Sequence, residues 1–372
     1  MSSHKEYYKD RVSGSRPKKR RRRRRRGLPW WGAALVVLLA LLLLGAGSVA
    51  VYVKSKLNKI QYDEPRTAPV TVTESITAPA PEEMLSAGAE DEVLFAEEGE
   101  LVDISALEPT EDVTVPLGEI YADKNVYNIL LLGTDYPYNQ NDPGRADSIM
   151  ILSLDFRDNS ARLVSIERGI GAPILSGQYK GQWDWITHLY HYGGADMMLE
   201  TVRYCFKLDV ERYAQVDFDA FVNVVNALGG IDIRLSEAEA ARLNLAVGWN
   251  HLGGQDALGY ARLRSIDSDW VRITRQRQVI QACMDRLKGA DLATLNRTAD
   301  AVLPYIHTNL SQREILSLMT KAPGFLGVQF EQMTIPAQGT YGGMGVMGGR
   351  GAFAPDFEVN TRLLREFLYG TV

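Results

Sequence analysis

The run from Gly27 to Val53 carries no charged side chain, and Leu35–Leu44 within it is almost wholly Leu, Val and Ala. Its 27 residues exceed the roughly 20 that cross a bilayer as a helix rising about 1.5 Å per residue. Trp30 and Trp31 flank one end and Tyr52 the other, where interfacial aromatics belong. Lys18–Arg26 stands immediately upstream. By the positive-inside bias the N-terminus stays cytoplasmic, and everything beyond Lys54 lies outside the cell membrane. A secretory signal also begins basic, and Ser48-Val49-Ala50 offers small residues for cleavage. Its apolar region, however, would be only about 7–15 residues long. An uncleaved single-pass anchor fits better. The arginine run taken alone suits a nucleic-acid arm. Beside a span it orients the chain and attracts anionic membrane lipid, so no nucleic-acid partner is expected.

Charge then divides the chain. Residues 1–26 carry 13 Lys/Arg against Glu6 and Asp10, whereas residues 60–124 carry 17 acids against Arg66 and Lys124. Gln61–Asp123 is rich in Pro, Thr, Ala and Glu and lacks apolar periodicity, so it cannot offset the entropy of ordering. It reads as an extended, self-repelling linker, with a short strand around Leu117–Tyr121. The expected organisation is a basic cytoplasmic tail over 1–26, a transmembrane helix over 28–53, an acidic extracytoplasmic stalk over 54–124, and a folded domain over 125–372. Two cysteines exclude a disulfide scaffold and a Cys-rich zinc module. Cys205 and Cys283 read as core thiols, although outside the cytoplasm a bond between them is permitted.

From Asn125 the texture becomes globular. Val126–Leu132, Ile149–Asp155 and Ala161–Ile166 are continuous apolar runs suited to strands buried on both faces. Ile231–Leu235 and Val328–Ile335 predict further strands. Helical patterns alternate with them at Ala195–Phe206, Phe218–Leu228, Gln255–Tyr260 and Trp270–Leu287, which argues an α/β layered domain. Ile273, Ile280, Cys283 and Leu287 form the buried stripe of the last of these. Ser311-Gln312-Arg313-Glu314 is a capping box opening a helix through Met319. Gly339–Gly351, with seven glycines, predicts a mobile loop.

No G-x-S-x-G, phosphate-loop or His/Cys metal spacing is present, and His188 and His191 lack a third zinc ligand. The chemistry resides instead in carboxylates at strand ends and clustered arginines. Asp135 follows the first strand at its carboxyl end, where open α/β sheets place ligands, and Asp147 introduces the next strand. Two readings stand for this pair: oxygen ligands sharing a hard divalent cation, or turn residues. Arg168 ends the third strand. Arg262 and Arg264, two apart, share a side only if the chain is extended there. Asp269, Arg272 and Gln276 lie at i, i+3 and i+7 on one helix face. Guanidiniums match phosphate oxygens bidentately, so a diphosphate with a divalent cation would satisfy both signs of charge.

These residues resemble the LytR-CpsA-Psr family. The likeness runs in order through Asn128–Asp135, Gly144-Arg-Ala-Asp147-Ser-Ile-Met150, Val216-Asp-Phe-Asp-Ala-Phe221, Ala227-Leu-Gly-Gly-Ile-Asp232, Gly248–Arg264 and Asp269–Gln276. Thr308–Ser311 and Phe367–Gly370 continue it. The resemblance implies a central mixed β-sheet flanked by helices and preceded by a single transmembrane helix. It implies transfer of a glycopolymer, such as a teichoic acid or capsule, from an undecaprenyl-diphosphate carrier to peptidoglycan. Carried over residue by residue, Asp135 and Asp147 resemble the ligands of Mg2+ or Mn2+. Arg145, Arg168, Arg262, Arg264, Arg272 and Gln276 resemble the diphosphate-binding set. Arg168, Arg262, Arg264 and Asp269 resemble the catalytic residues. The mechanism implied is attack by a muramic-acid hydroxyl on the phosphorus bearing the sugar. The sequence departs from the family pattern at Gly169, where Asp is usual, and at Trp185-Ile186-Thr187, where Lys-Ile/Leu-Asn is usual. Tyr136 and Pro137 replace a common Ser and Arg. The alternatives are a polyprenyl-phosphate-binding or regulatory protein with weak catalysis, and pyrophosphatase-like hydrolysis at the same site.

Overall fold

The computed structural model describes residues 52–63, 72–79, 107–110, 112–134, 144–263, 269–288, 290–325 and 328–370. The expected basic tail and transmembrane helix lie outside the described residues, apart from Tyr52 and Val53. Among the described residues no helix is long and apolar enough to cross a membrane. Asp135 and Arg264 also lie outside them, as does the side chain of Asp269.

In chain order the strands are β1 (Gln61–Tyr62), β2 (Ile76–Thr77), β3 (Thr114–Val115), β4 (Val126–Thr134), β5 (Ala146–Asp155), β6 (Ser160–Ile166), β7 (Gly171–Pro173), β8 (Trp183–Trp185), β9 (Arg212–Asp217), β10 (Ile231–Leu235), β11 (Gly248–Leu252), β12 (His307–Thr308), β13 (Glu331–Ile335), β14 (Tyr341–Val346) and β15 (Arg350–Pro355). The helices are α1 (Leu189–Phe206), α2 (Phe218–Ala227), α3 (Glu237–Leu243), α4 (Gly254–Ala261), α5 (Asp269–Lys288), α6 (Leu292–Val302), α7 (Gln312–Lys321) and α8 (Phe357–Tyr369). A 7-stranded sheet in the order β1-β12-β9-β4-β5-β6-β13 forms the centre. It is mixed: β4 runs antiparallel to β5 but parallel to β9, and β6 runs parallel to β13.

Side-chain alternation assigns the two faces of this sheet. Leu130, Leu132, Ile149 and Ile151 enter one core with residues of α1 and α8. Their neighbours Leu131 and Met150 point the other way, toward a cavity beneath the helices α2, α4 and α5. The continuous apolar runs therefore reflect a core on one face and a lined cavity on the other. A second core, with Val225, Ile233, Tyr260 and Val279, holds the helical layer together. Gly254 permits this packing, because a Cβ there would overlap the Val222 carbonyl oxygen of α2.

Helix ends follow local chemistry. Ser311 and Glu314 make the expected capping box, and α7 runs to Lys321. A second box, Ser236 with Glu239, opens α3. The segment α1 is broken at Gly193 and Gly194, so its regular part begins at Ala195 as its periodicity predicts.

Three expectations are corrected. Parts of the stretch read as a stalk fold onto the domain: Leu57, Ile60, Val113 and Val115 are buried, and β1 pairs with β12. The short strand of that region is Thr114–Val115, whereas Leu117 is exposed and Tyr121 makes only an isolated bridge to Leu208. The glycine-rich Gly339–Gly351 is not a free loop but most of the hairpin β14–β15, with Met344, Val346 and Met347 buried. Cys205 and Cys283 are both free thiols, one in each core. Burial pushes them up to about 12 and about 11 respectively, as befits inert core sulfurs.

Candidate functional site

The site is a cavity of about 330 Å3 between the sheet and the helical layer. Its floor is Leu131 and Met150 from the sheet with Val216 at the end of β9. Phe218 and Phe221, three apart on α2, close one side, and Val279 and Ile280 of α5 close another. Four of the residues singled out from the sequence meet on its lining: Asp147, Arg262, Arg272 and Gln276.

A backbone irregularity aims Asp147. Gly133 pairs with Ser148, yet Thr134 pairs with Ala146, so Asp147 is an extra residue opposite no partner. Such a bulge turns the strand locally. Strict alternation would send Asp147 to the face opposite Ser148, but both line the cavity. The Arg168 Nη1 stands 3.3 Å from Asp147 Oδ1. Arg168 itself follows β6, and its carbonyl accepts from Thr187 N at 3.3 Å. Thr187 Oγ1 in turn donates to the Ala146 carbonyl at 2.8 Å. Those two bonds tie the chain around Arg168 to the start of β5.

The arginines take different stations. Arg145, Arg168 and Arg272 are 4%, 5% and 3% exposed. Of these three, Arg272 lines the cavity and Arg168 reaches its Asp147, whereas Arg145 is not among the lining residues. Arg262 is exposed and caps α4, which ends at Ala261. Arg264 lies outside the described residues, and Arg262 itself keeps near-helical φ −100 and ψ 0 rather than an extended conformation. Its guanidinium lies 4.4 Å from the centroid of the Phe218 ring, a cation–π contact that holds it over the cavity mouth. On α5, Arg272 and Gln276 share one face as their spacing predicts. Asp269 is the first residue of the same helix.

The other arginines of that cluster are structural. Arg275 is buried and donates to Glu239 Oε1 at 2.7 Å and to the Leu263 carbonyl at 3.0 Å. Burial would raise the Glu239 carboxyl, but bonds from Arg275 and Ser236 outweigh it and hold the group below the usual range. Arg277 reaches the sheet, donating to Ser165 Oγ at 2.8 Å, to the Met333 carbonyl and to Thr334 Oγ1. Burial lowers its guanidinium to about 10.

Trp185 and Gly169 serve the scaffold. Trp185 is 1% exposed, and its Nε1 donates to the Gly351 carbonyl at 2.7 Å. The Gly169 carbonyl accepts from Phe353 N at 2.9 Å. Both residues therefore fasten the β14–β15 hairpin. Beside them, fully buried Asp184 accepts from Arg350 Nη2 at 2.8 Å and Tyr192 OH at 2.8 Å, and His188 Nδ1 lies 3.2 Å away. His188 is thus held by this carboxylate; among the described residues no group of three or more His, Cys, Asp or Glu could hold a metal.

Sequence reasoning missed the apolar lining. The signal was present in Phe218 and Phe221, aromatics three apart beside a strand end, but the same spacing marks an ordinary core face.

Residues 98–353 match the LytR_cpsA_psr family. The chain belongs to that family. The match begins ahead of Asn125, consistent with the folding of Val113 and Val115 into the core. The polyisoprenyl-teichoic acid–peptidoglycan teichoic acid transferase TagV of Bacillus subtilis (strain 168) is 30% identical over 229 residues, 59% of this chain and 58% of its own length. The similarly named TagU of Bacillus mycoides (strain KBAB4) is 35% identical over 218 residues, 57% of this chain and 69% of its own. The crystal structure of B. subtilis TagV, 30% identical, aligns with a TM-score of 0.54 over 68% of this chain and 100% of that one. The structure titled TagT bound to LIIa-WTA is 25% identical, with a TM-score of 0.53 over 66% of this chain and 90% of that one.

Proposed function

We propose that this LytR_cpsA_psr protein is a phosphotransferase that moves a glycopolymer from a polyprenyl-diphosphate carrier to peptidoglycan. The observation that carries the reading is an apolar cavity with guanidiniums and the carboxylates of Asp147 and Asp217 at its edge, the latter capping α2. An amphiphile with an isoprenoid tail and a diphosphate head meets both requirements at once. Leu131, Met150, Phe221 and Ile280 suit the tail, whose burial is worth about 25 cal/mol per Å2 of apolar surface. Arg262, Arg272 and Gln276 suit the diphosphate, and Arg168 reaches it beside Asp147. Relatives named as teichoic acid transferases, and a structural neighbour titled as bound to LIIa-WTA, support this substrate class. Undecaprenyl is the carrier we infer, and a teichoic acid or capsule-like polymer the cargo.

The acceptor hydroxyl oxygen forms a bond to the sugar-bearing phosphorus as its bond to the lipid phosphate oxygen breaks. The products are a phosphodiester-linked polymer, polyprenyl monophosphate and one proton. Buried Arg168 and Arg272 are placed to stabilise the charge on the departing phosphate. Arg168 is anchored by Asp147, and Arg272 projects from α5 onto the cavity lining. Asp147 offers hard oxygen donors suited to Mg2+ or Mn2+, and Asp135, next after Thr134 in the chain, is the proposed second ligand. A bound cation would neutralise diphosphate charge. The proposed topology follows from Lys18–Arg26: N-terminus cytoplasmic, a single membrane span, and the folded domain outside.

The deciding experiment incubates full-length protein in detergent with a lipid-linked glycopolymer, Mg2+ and peptidoglycan. Polymer bound to peptidoglycan, with release of polyprenyl monophosphate, is the expected result. Tight lipid binding without transfer would favour a second reading, a polyprenyl-phosphate-binding envelope protein. The inward-facing Trp185 and hairpin-bound Gly169 motivate that reading, since neither supplies the cation or acid usual in the family.

A further inference from the structure

A second concavity, of about 500 Å3, lies on a different face of α5, between that helix and the β10–β11 ribbon. Trp249 borders it and is 75% exposed, an unusual position for an indole that the chain leaves unburied. The register of the ribbon sets Arg234 directly opposite Trp249, and Asp232 opposite His251. Alternation puts Asp232 and Arg234 on the exposed side of β10, while Ile231, Ile233 and Leu235 enter the core. From α5, Gln278, Gln281, Ala282, Asp285 and Arg286 complete the lining.

The ribbon is held in place independently of any ligand. His251 Nδ1 lies 2.7 Å from Asp232 Oδ1, and Nε2 lies 2.8 Å from the Gly229 carbonyl. Gly230 has φ +92, so a glycine is needed where the chain turns into β10. A Cβ at that position would also collide with the His251 ring.

The chemistry of the lining selects a class of occupant. Two acids, Asp232 and Asp285, balance two arginines, Arg234 and Arg286. An anionic polymer such as nucleic acid or polyphosphate gains no net attraction there. Amides, carboxylates and guanidiniums together offer planar donors and acceptors suited to vicinal hydroxyl groups. An exposed indole face provides the flat apolar surface on which the C–H face of a pyranose stacks. We propose that this groove binds a neutral polysaccharide, stacking one sugar on Trp249 and hydrogen-bonding its neighbours through Arg234, Gln281 and Arg286.

The groove is distinct from the apolar cavity. Arg272, Gln276, Val279 and Ile280 face the cavity, whereas Gln281, Asp285 and Arg286 face the groove. At about 100° per residue Gln281 and Asp285 lie on the side of the helix away from the cavity, Arg286 follows Val279 by two turns, and the two linings share no residue. The groove therefore holds a glycan strand rather than contributing to the reacting phosphate. This inference concerns binding alone and does not depend on the phosphotransfer reading.

The test uses full-length protein in detergent with two probes, soluble chitohexaose and sulfated heparin, and measures binding by calorimetry. Chitohexaose is expected to bind and heparin not to. Removing an aromatic anchor at the centre of a contact costs about tenfold or more in affinity, so Trp249→Ala should weaken chitohexaose binding by at least that factor. Trp249→Phe should retain most of it, and Gln281→Ala should weaken it less than Trp249→Ala. Affinity for a polyprenyl diphosphate should stay unchanged in all three variants. Equal chitohexaose affinity in wild type and Trp249→Ala, no chitohexaose binding at all, or tighter binding of heparin would overturn the proposal. Loss of transfer with chitohexaose binding intact would count against the phosphotransferase reading and leave this one standing.

Discussion

Arg168 Nη1 meets the Asp147 carboxylate at 3.3 Å, just beyond the last paired residues of β5 and β6. Ile149 pairs with Ile166 across β5 and β6, and the same register carried two residues further sets Asp147 opposite Arg168. The pair is thus a product of strand register.

Asp147→Asn should leave Arg168 facing a neutral amide and remove a donor for a divalent cation. Charge-assisted hydrogen bonds are worth about 1.5–3 kcal/mol, so the transfer rate should fall about tenfold or more. The remaining activity should respond little to Mg2+. A rate and a Mg2+ titration matching wild type would remove Asp147 from the site.

The cavity can be shortened from within. Val216 lines it at the end of β9, and Val216→Phe adds volume that the isoprenoid chain would otherwise occupy. Affinity for a long-chain polyprenyl diphosphate should drop by about tenfold, as expected for overpacking that costs about 1–3 kcal/mol. Affinity for inorganic diphosphate should not change. Parallel loss of both would mean that the tail does not enter here.

Burial alone would raise the Asp184 carboxyl, but His188, Arg350 and Tyr192 outweigh it and hold the group below its ordinary value. A depressed folded value means that stability is present above the unfolded carboxylate value, about 3.9. It is lost as pH falls through the folded value. Asp184→Asn should therefore lower thermal stability at pH 7, by about 3–5 kcal/mol for a broken buried pair. It should also flatten the acid limb of the stability profile. Thermal melts between pH 3 and 8 read both effects, and parallel curves for variant and wild type would contradict them.

His251 faces acceptors on both ring nitrogens, which only the imidazolium can satisfy. The bond to Asp232 and that to the Gly229 carbonyl raise its value above the usual one. The stability it contributes is present below about 6.5, the unfolded value, and fades as pH rises through the folded one. The ring is half exposed, so the contribution is small. An NMR titration should place the His251 midpoint above that of a histidine in a peptide, and Asp232→Asn should move it down. An unmoved midpoint would show that the Asp232 contact is absent in solution.

Orientation can be tested on cells. Protease added to intact cells should release the folded domain and leave Lys18–Arg26 protected. The reverse pattern would invert the proposed topology.

Much of this layout was legible because periodicity reports burial. The strands Val126–Thr134 and Ser160–Ile166, the helix Asp269–Lys288, and the shared face of Arg272 and Gln276 all follow from spacing. Other features depend on partners distant in sequence. A strand that lines a cavity reads like one packed against a core, so Leu131 and Met150 gave no warning of the void beside them. The bulge at Asp147 exists only in relation to β4. Trp185 looked like an altered site residue, yet its bond to the Gly351 carbonyl requires a hairpin more than 160 residues away. The glycines of that hairpin carry no side-chain pattern, which is why they resembled a loop. Val113 and Val115 sit in an acidic stretch too short of apolar residues to show a period, although both are buried.

Every side of α5 has an assignment. Trp270 stacks on Tyr341 at 5.7 Å between ring centroids, and Arg272 and Gln276 line the cavity. Arg275 grips Glu239, Arg277 grips the sheet, and Gln278, Gln281 and Asp285 border the groove. A single residue inserted midway would rotate the later turns by about 100° relative to the earlier ones. Cavity and groove would fall out of phase together, whatever the identity of the new side chain. Length, then, is the property of this helix least open to change, and new specificities must come from exchanging side chains at constant spacing.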